Sequence, residues 1–160
     1  MTYYDDISEG YEELHKEEQL KKVSVIKNYL SPRKENKLLD VGCGTGLTTE
    51  PWDCVKFGID PARKLIAKAR NKEEIEYKIG EAENIPYPDK SFDYVISITA
   101  IQNFHDIQKG LKEIKRVGKD KFVLSFLKRS AKREQIEKLI KKIFDVKEII
   151  EEEMDLIYII

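Results

Sequence analysis

Cysteine is scarce in this chain of 160 residues: it has two, Cys43 and Cys54. Neither sits in a C-x-x-C or similar ligand spacing, which argues against a zinc site or a disulfide framework and leaves free thiols in a cytoplasmic chain as the expectation. Histidine is as rare, with His15 and His105 far apart. No cluster of histidines and acids has the composition of a metal centre, so none is expected. Long apolar runs are missing too. None approaches the roughly 20 residues that cross a bilayer. The opening Met1-Thr2-Tyr3-Tyr4-Asp5-Asp6 is acidic and aromatic, unlike the basic-then-apolar start of a secretory leader. Five prolines and eight glycines form no linker tract, and there is no internal repeat. Residues 1–160 are therefore expected to form one domain, with 1–30 as an N-terminal helical region.

Charge, by contrast, is plentiful and nearly balanced: 37% of residues are charged, yet the formal net charge is −1. Lysine, glutamate and isoleucine dominate, a composition that accompanies life at high temperature. The charges are unevenly placed. Lys109 to Lys142 holds thirteen Lys/Arg against four Asp/Glu, whereas Asp145 to Asp155 holds six acids and one lysine. Solvated helix faces account for most of the basic excess, with an RNA-binding surface as the alternative.

Periodicity gives the order of elements. Tyr11 to Leu30 spaces Leu14, Leu20, Val23, Ile26 and Leu30 as an amphipathic helix that ends at Ser31-Pro32. Short apolar strands are expected at 37–41, 55–59, 75–79, 92–98 and 121–127, with helices near 62–70, 106–117 and 131–143. The chain closes with two strands, 146–150 and 156–160, joined around Glu151–Asp155. Alternating strands and helices predict an α/β fold, a Rossmann-like, seven-stranded, mostly parallel sheet with helices on both faces. The closing pair has no helix between its members, which predicts an antiparallel C-terminal strand inserted in reverse after five parallel ones.

The chemistry concentrates where the first strand, Leu38-Leu39-Asp40-Val41, runs into Gly42-Cys43-Gly44-Thr45-Gly46. Glycines here permit a tight turn and let the backbone approach a ligand. The G-x-G-x-G spacing differs from the G-x-G-x-x-G of dinucleotide sites, which makes a nicotinamide-dependent oxidoreductase the weaker reading. Asp40, two residues before the first glycine, would repel a pyrophosphate but attract a cationic amino-acid portion. Asp60, at the end of the second strand, is placed to accept both hydroxyls of a ribose. Its competing role is to open the next helix at Asp60-Pro61.

Taken in order, Leu38–Gly46, Asp60, Gly80-Glu81-Ala82-Glu83-Asn84-Ile85-Pro86 and Ser91-Phe92-Asp93-Tyr94-Val95-Ile96-Ser97 resemble the motifs of class I S-adenosylmethionine (SAM)-dependent methyltransferases. The resemblance spans about Tyr3 to Leu127. It implies SAM as cofactor and S-adenosylhomocysteine as product. It further implies that Asp40, Gly42, Cys43 and Gly44 hold the methionine portion, Asp60 and Pro61 the ribose, and Glu81 and Ala82 the adenine. Ser97 and Thr99 would then lie beside the sulfonium, and Tyr11 would belong to a lid helix over the cofactor. Glu81 departs from the aspartate common at its position, and Glu83 competes with it. Pro51 interrupts the segment after the glycine loop, so the helix there is expected to be stunted to one or two turns, with Trp52 filling the gap.

Gln102, Asn103 and His105 follow the fourth strand and should line the substrate pocket, with His105 the one candidate for a base. His15 is expected on a solvated face. The segment lacks the Asn/Asp-Pro-Pro-Tyr/Phe signature of adenine amino methyltransferases. It is similar to the matching stretch of ribosomal-RNA guanine-N7 methyltransferases. The expected activity is methyl transfer by direct displacement to a small-molecule or RNA acceptor, the alternative being a non-catalytic SAM-binding partner of another subunit.

Overall fold

The computed structural model describes residues 9–70 and 74–160, the side chains of residues 9–12 excepted. Helix α1 (Glu9–Ile26) leads into strand β1 (Lys37–Val41). There follow β2 (Val55–Asp60), α2 (Arg63–Ala69), β3 (Ile75–Ile79), β4 (Phe92–Ser97), α3 (Ile107–Val117), β5 (Gly118–Leu127), α4 (Arg133–Ile143), β6 (Glu148–Glu151) and β7 (Asp155–Ile159). They build one seven-stranded sheet in the order β3-β2-β1-β4-β5-β7-β6. β1 to β5 are mutually parallel, and β7 is antiparallel to both β5 and β6. β6 therefore runs in the common direction. Six strands share one sense and only β7 is reversed, one more parallel strand than the sequence suggests.

Strand alternation sends side chains to two cores. Leu39, Val41, Val95, Leu124 and Phe126 pack on one face with Leu111 and Ile114 of α3 and Ile136 and Ile140 of α4. Leu38, Ile96, Val123 and Ile157 point the other way, against Val23 and Ile26 of α1 and Trp52. α2 closes a smaller cluster, Ile66 and Ala69 on Cys43 and Tyr77.

Two local expectations change. No helix forms between the glycine loop and β2; residues 45–51 are successive turns. The reasons are local. Pro51 has no N–H, Trp52 Nε1 donates to the carbonyl of Thr48 at 2.9 Å, and the Thr48 and Thr49 hydroxyls are drawn back onto Asp40. Trp52 is 3% exposed and fills the vacated face, as its sequence position suggests. The stripe of α1 also differs. Leu14 and Leu20 are exposed, and the buried face carries Gln19 and Lys22 beside Val23 and Ile26. The physical cause is a polar network described below.

Candidate active site

The carboxyl ends of the parallel strands open into a cavity of about 620 Å³, roofed by α1 and walled by the loops after β1, β2, β3 and β4. At this edge of an open α/β sheet the loops on either side of a strand-order reversal diverge and leave a crevice. The order here reverses between β1 and β4.

The glycine loop makes one wall. Gly44 adopts φ +55°, and a Cβ built there would meet nothing nearer than Leu65 Cδ1 at 4.0 Å, so it would project into open cavity. Gly42, at φ +79°, is closed from behind instead: a Cβ would press on the Ala100 methyl at 2.6 Å. The loop is thus clamped to the segment after β4 and open on its ligand side. Its amides are ordered by Asp60, whose Oδ2 accepts from Gly44 N at 2.9 Å and whose Oδ1 accepts from Ala62 N at 2.8 Å. Asp60 therefore ties the two loops together while it lines the cavity.

Asp40 stands elsewhere than the sequence suggests. It is fully buried beneath the loop rather than in the cavity wall, and its Oδ2 accepts from Thr48 Oγ1 at 2.6 Å and Thr49 Oγ1 at 2.8 Å. Its Oδ1 has no hydrogen-bond partner among the described residues. Burial pushes its carboxyl up to about 6, against the two threonine hydrogen bonds and with a further push from the Asp60 charge.

The other expected residues divide. Cys43, Pro61, Glu81, Ala82, Thr99, Asn103 and His105 line the cavity, with Glu83 beside Glu81. Ser97 does not: it is buried, and its hydroxyl donates to Val41 O at 2.8 Å, tying β4 to β1. Gln102 also turns away, donating from Nε2 to Thr99 O at 2.9 Å. The side chain of Tyr11 lies outside the described residues, as do residues 1–8 of the expected lid region.

Sequence reasoning missed the opposite wall. His15 lines the cavity rather than a solvated face. Burial and the nearby Lys22 ammonium hold its imidazole below the ordinary value, against Glu18. One helical turn on, Gln19 lines the same space. Below them Lys22, 2% exposed, faces Asp155 Oδ1 at 3.1 Å and donates to Thr99 Oγ1 at 2.8 Å. Thr99, at φ +55°, donates to Asp155 Oδ2 at 2.6 Å, and Ser125 Oγ donates to the same oxygen at 2.8 Å. A buried lysine keeps its charge only when so paired. No short motif announces this network, because its members come from α1, the end of β4, β5 and β7.

Comparison with known proteins bears on the family and the fold. The methyltransferase-domain family matches residues 39–126. The demethylmenaquinone methyltransferase of Chlorobaculum tepidum is 37% identical over 94 residues, 55% of this chain and 38% of that one. Among solved structures, a SAM-dependent methyltransferase of Thermotoga maritima superposes with a TM-score of 0.62 at 28% identity, covering 78% of this chain and 59% of that one. The PH0226 protein of Pyrococcus horikoshii shares the fold with a TM-score of 0.72 at 22% identity, over 97% of this chain and 92% of its own. The chain spans about half the length or less of most of the curated relatives it matches. With the glycine loop open to the cavity, Asp60 at its wall and the family match across β1 to β5, this chain belongs to the class I methyltransferases, whose cofactor is S-adenosylmethionine.

Proposed function

We propose that this chain transfers a methyl group from SAM to a small-molecule acceptor held in the cavity under α1. The observation that carries the reading is the wall built by Gly44 and Asp60. A left-handed glycine presents bare backbone to the cavity, and a carboxylate of fixed orientation stands beside it. That pairing suits a ribose flanked by a cationic amino-acid portion. The bound cofactor supplies a methyl group already activated by the positive charge on sulfur.

The protein's own share is alignment and exclusion of water. Gly44 lets the methionine portion approach the backbone. Asp60 holds the ribose, and Glu81, with Glu83 in reach, faces the adenine. Asp40 acts from below: it fixes Thr48 and Thr49, hence the turn, and sets a negative charge under the cationic portion. Ala100 and Phe104 form the apolar floor where the acceptor meets the methyl group. His105 at the rim and His15 from α1 are the two imidazoles in the described cavity lining, and either would take a proton from the acceptor.

A small acceptor suits the site better than RNA. Several of the basic residues on and around α4 are already engaged: Arg133 lies 3.5 Å from Glu137, Lys128 4.0 Å from Glu151, and Lys132 donates to Gln102 O at 3.2 Å. Incubating the protein with methyl-labelled SAM and cell extract fractionated into RNA, protein and metabolites tests this reading. Label is expected in the metabolite fraction. Label in RNA would replace the small-molecule acceptor, and SAM binding without transfer to any fraction would favour the non-catalytic partner.

A further inference from the structure

The cavity has two unlike halves, and the half away from the glycine loop carries a preset hydrogen-bond donor. Lys22 Nζ has three acceptors around it: Gln19 Oε1 at 2.9 Å, Thr99 Oγ1 at 2.8 Å and Asp155 Oδ1 at 3.1 Å. An ammonium can only donate. Gln19 must therefore turn its carbonyl oxygen, never its nitrogen, toward Lys22, which settles the amide orientation on chemical grounds. Thr99 gives its one hydroxyl proton to Asp155 Oδ2 at 2.6 Å, so the Lys22 ammonium alone sets the orientation of the amide. The Gln19 Nε2 group has no partner among the described residues, and the side chain, 5% exposed, reaches open space only where it lines the cavity. The amide N–H groups are thus presented to the cavity, where an acceptor on a bound molecule can take them.

The position of this donor separates it from the cofactor's half. Gly44, Asp60 and Glu81 stand at the ends of β1, β2 and β3. Gln19 is held by residues at the ends of β4, β5 and β7, across the reversal in strand order. Ile98, Ala100 and Phe104 make the adjoining surface apolar.

We infer that Gln19 is a specificity-determining residue for the methyl acceptor: its amide N–H groups bind a carbonyl or carboxylate oxygen, so the acceptor is an oxygen-bearing molecule with an apolar body. Lys22 and Asp155 are positioning residues that keep the amide turned toward the cavity. The ion pair also lends the amide the field of a buried cation behind its oxygen, which polarises the N–H groups facing the acceptor.

The inference rests on the methyltransferase reading, and the test separates the two. Protein saturated with S-adenosylhomocysteine is titrated with benzoate and, separately, with benzylamine, in the wild type and in Gln19→Leu and Gln19→Glu. Benzoate is expected to bind the wild type and to weaken by roughly tenfold in Gln19→Leu, the effect of one lost hydrogen bond to a charged group. Gln19→Glu should reverse the preference toward benzylamine, a change that a merely structural role would not produce. S-Adenosylhomocysteine and methylthioadenosine, which lacks the amino-acid portion, are titrated in parallel as the cofactor control. Unchanged affinity of both in the Gln19 variants is the expected result and verifies that they are folded. Failure of benzoate to bind the wild type, or equal benzoate binding by wild type and Gln19→Leu, would overturn the assignment. So would a loss in Gln19→Leu confined to S-adenosylhomocysteine, which would place Gln19 on the cofactor's carboxylate. Failure of the wild type to bind S-adenosylhomocysteine at all would overturn the methyltransferase reading itself.

Discussion

The wall over β1, β2 and β3 and the wall over β4, β5 and β7 solve the same problem by opposite means. The first is made of backbone: glycines in left-handed conformations and amides aligned by the buried Asp60 carboxylate. The second is made of side chains, with an ion pair almost wholly removed from water between α1 and β7. A backbone wall can be rigid at low electrostatic cost. A wall of buried charges stands only while every member is paired, because an isolated charge in the interior costs several kcal/mol. The two walls should therefore fail differently when broken.

The largest effect is expected at the ion pair. Lys22→Met or Asp155→Leu leaves the other charge buried alone and should destabilise the fold by about 3–5 kcal/mol, measured by denaturant unfolding. The double substitution should recover much of that loss, since two apolar side chains can replace a buried pair at little net cost. A double variant as unstable as the sum of the singles would show that the network acts through its hydrogen bonds to Thr99 and Ser125 rather than through charge.

Asp60→Ala strikes the other wall and should weaken SAM binding by about 1–3 kcal/mol with a smaller effect on stability. Calorimetric titration reads the first quantity and thermal unfolding the second. A loss of stability without loss of affinity would reverse the contrast between the walls.

A smaller effect concerns pH. Asp40 has a carboxyl raised from 3.8 to about 6 by burial, so the folded state binds a proton more tightly than the unfolded one between those values. That contribution is fully present below about pH 4 and is lost as pH rises through 6, a change of about 3 kcal/mol. Asp40→Asn stays neutral throughout. Relative to wild type it should gain about 2–3 kcal/mol between about pH 4 and pH 7.5, read from unfolding curves across that range. Parallel pH profiles for the two proteins would contradict the burial of an ionisable Asp40.

The same contrast explains what was legible in the sequence. β1 and the glycine loop are contiguous, and an apolar run ended by glycine marks them directly. The reversed β7 followed from a helix missing between the last two strands, whereas the strand order appears only in the fold. The α1 face was misread because Leu14 and Leu20 satisfied a helical apolar period, while the residues truly buried included a glutamine and a lysine. Hydropathy treats Lys22 as a surface residue. Its burial depends on Asp155, more than a hundred positions away in sequence. Ser97 was placed in the cavity by the family resemblance and Gln102 by its position after the fourth strand, and the pleat and a local hydrogen bond turned each the other way. The turns at 45–51 lost their helix through Thr48 and Thr49, whose pull toward Asp40 appears only once the strand is folded beneath them.

Titration of SAM into the wild type and into Gly44→Val is the most direct test of the central claim. Gly44 faces open cavity, so the added side chain meets little protein but occupies the proposed cofactor's space, with the left-handed backbone as a further strain. The wild type should show saturable binding, and the variant, verified as folded by circular dichroism, should show none. Normal binding by a folded Gly44→Val, or no binding by the wild type, would contradict the account.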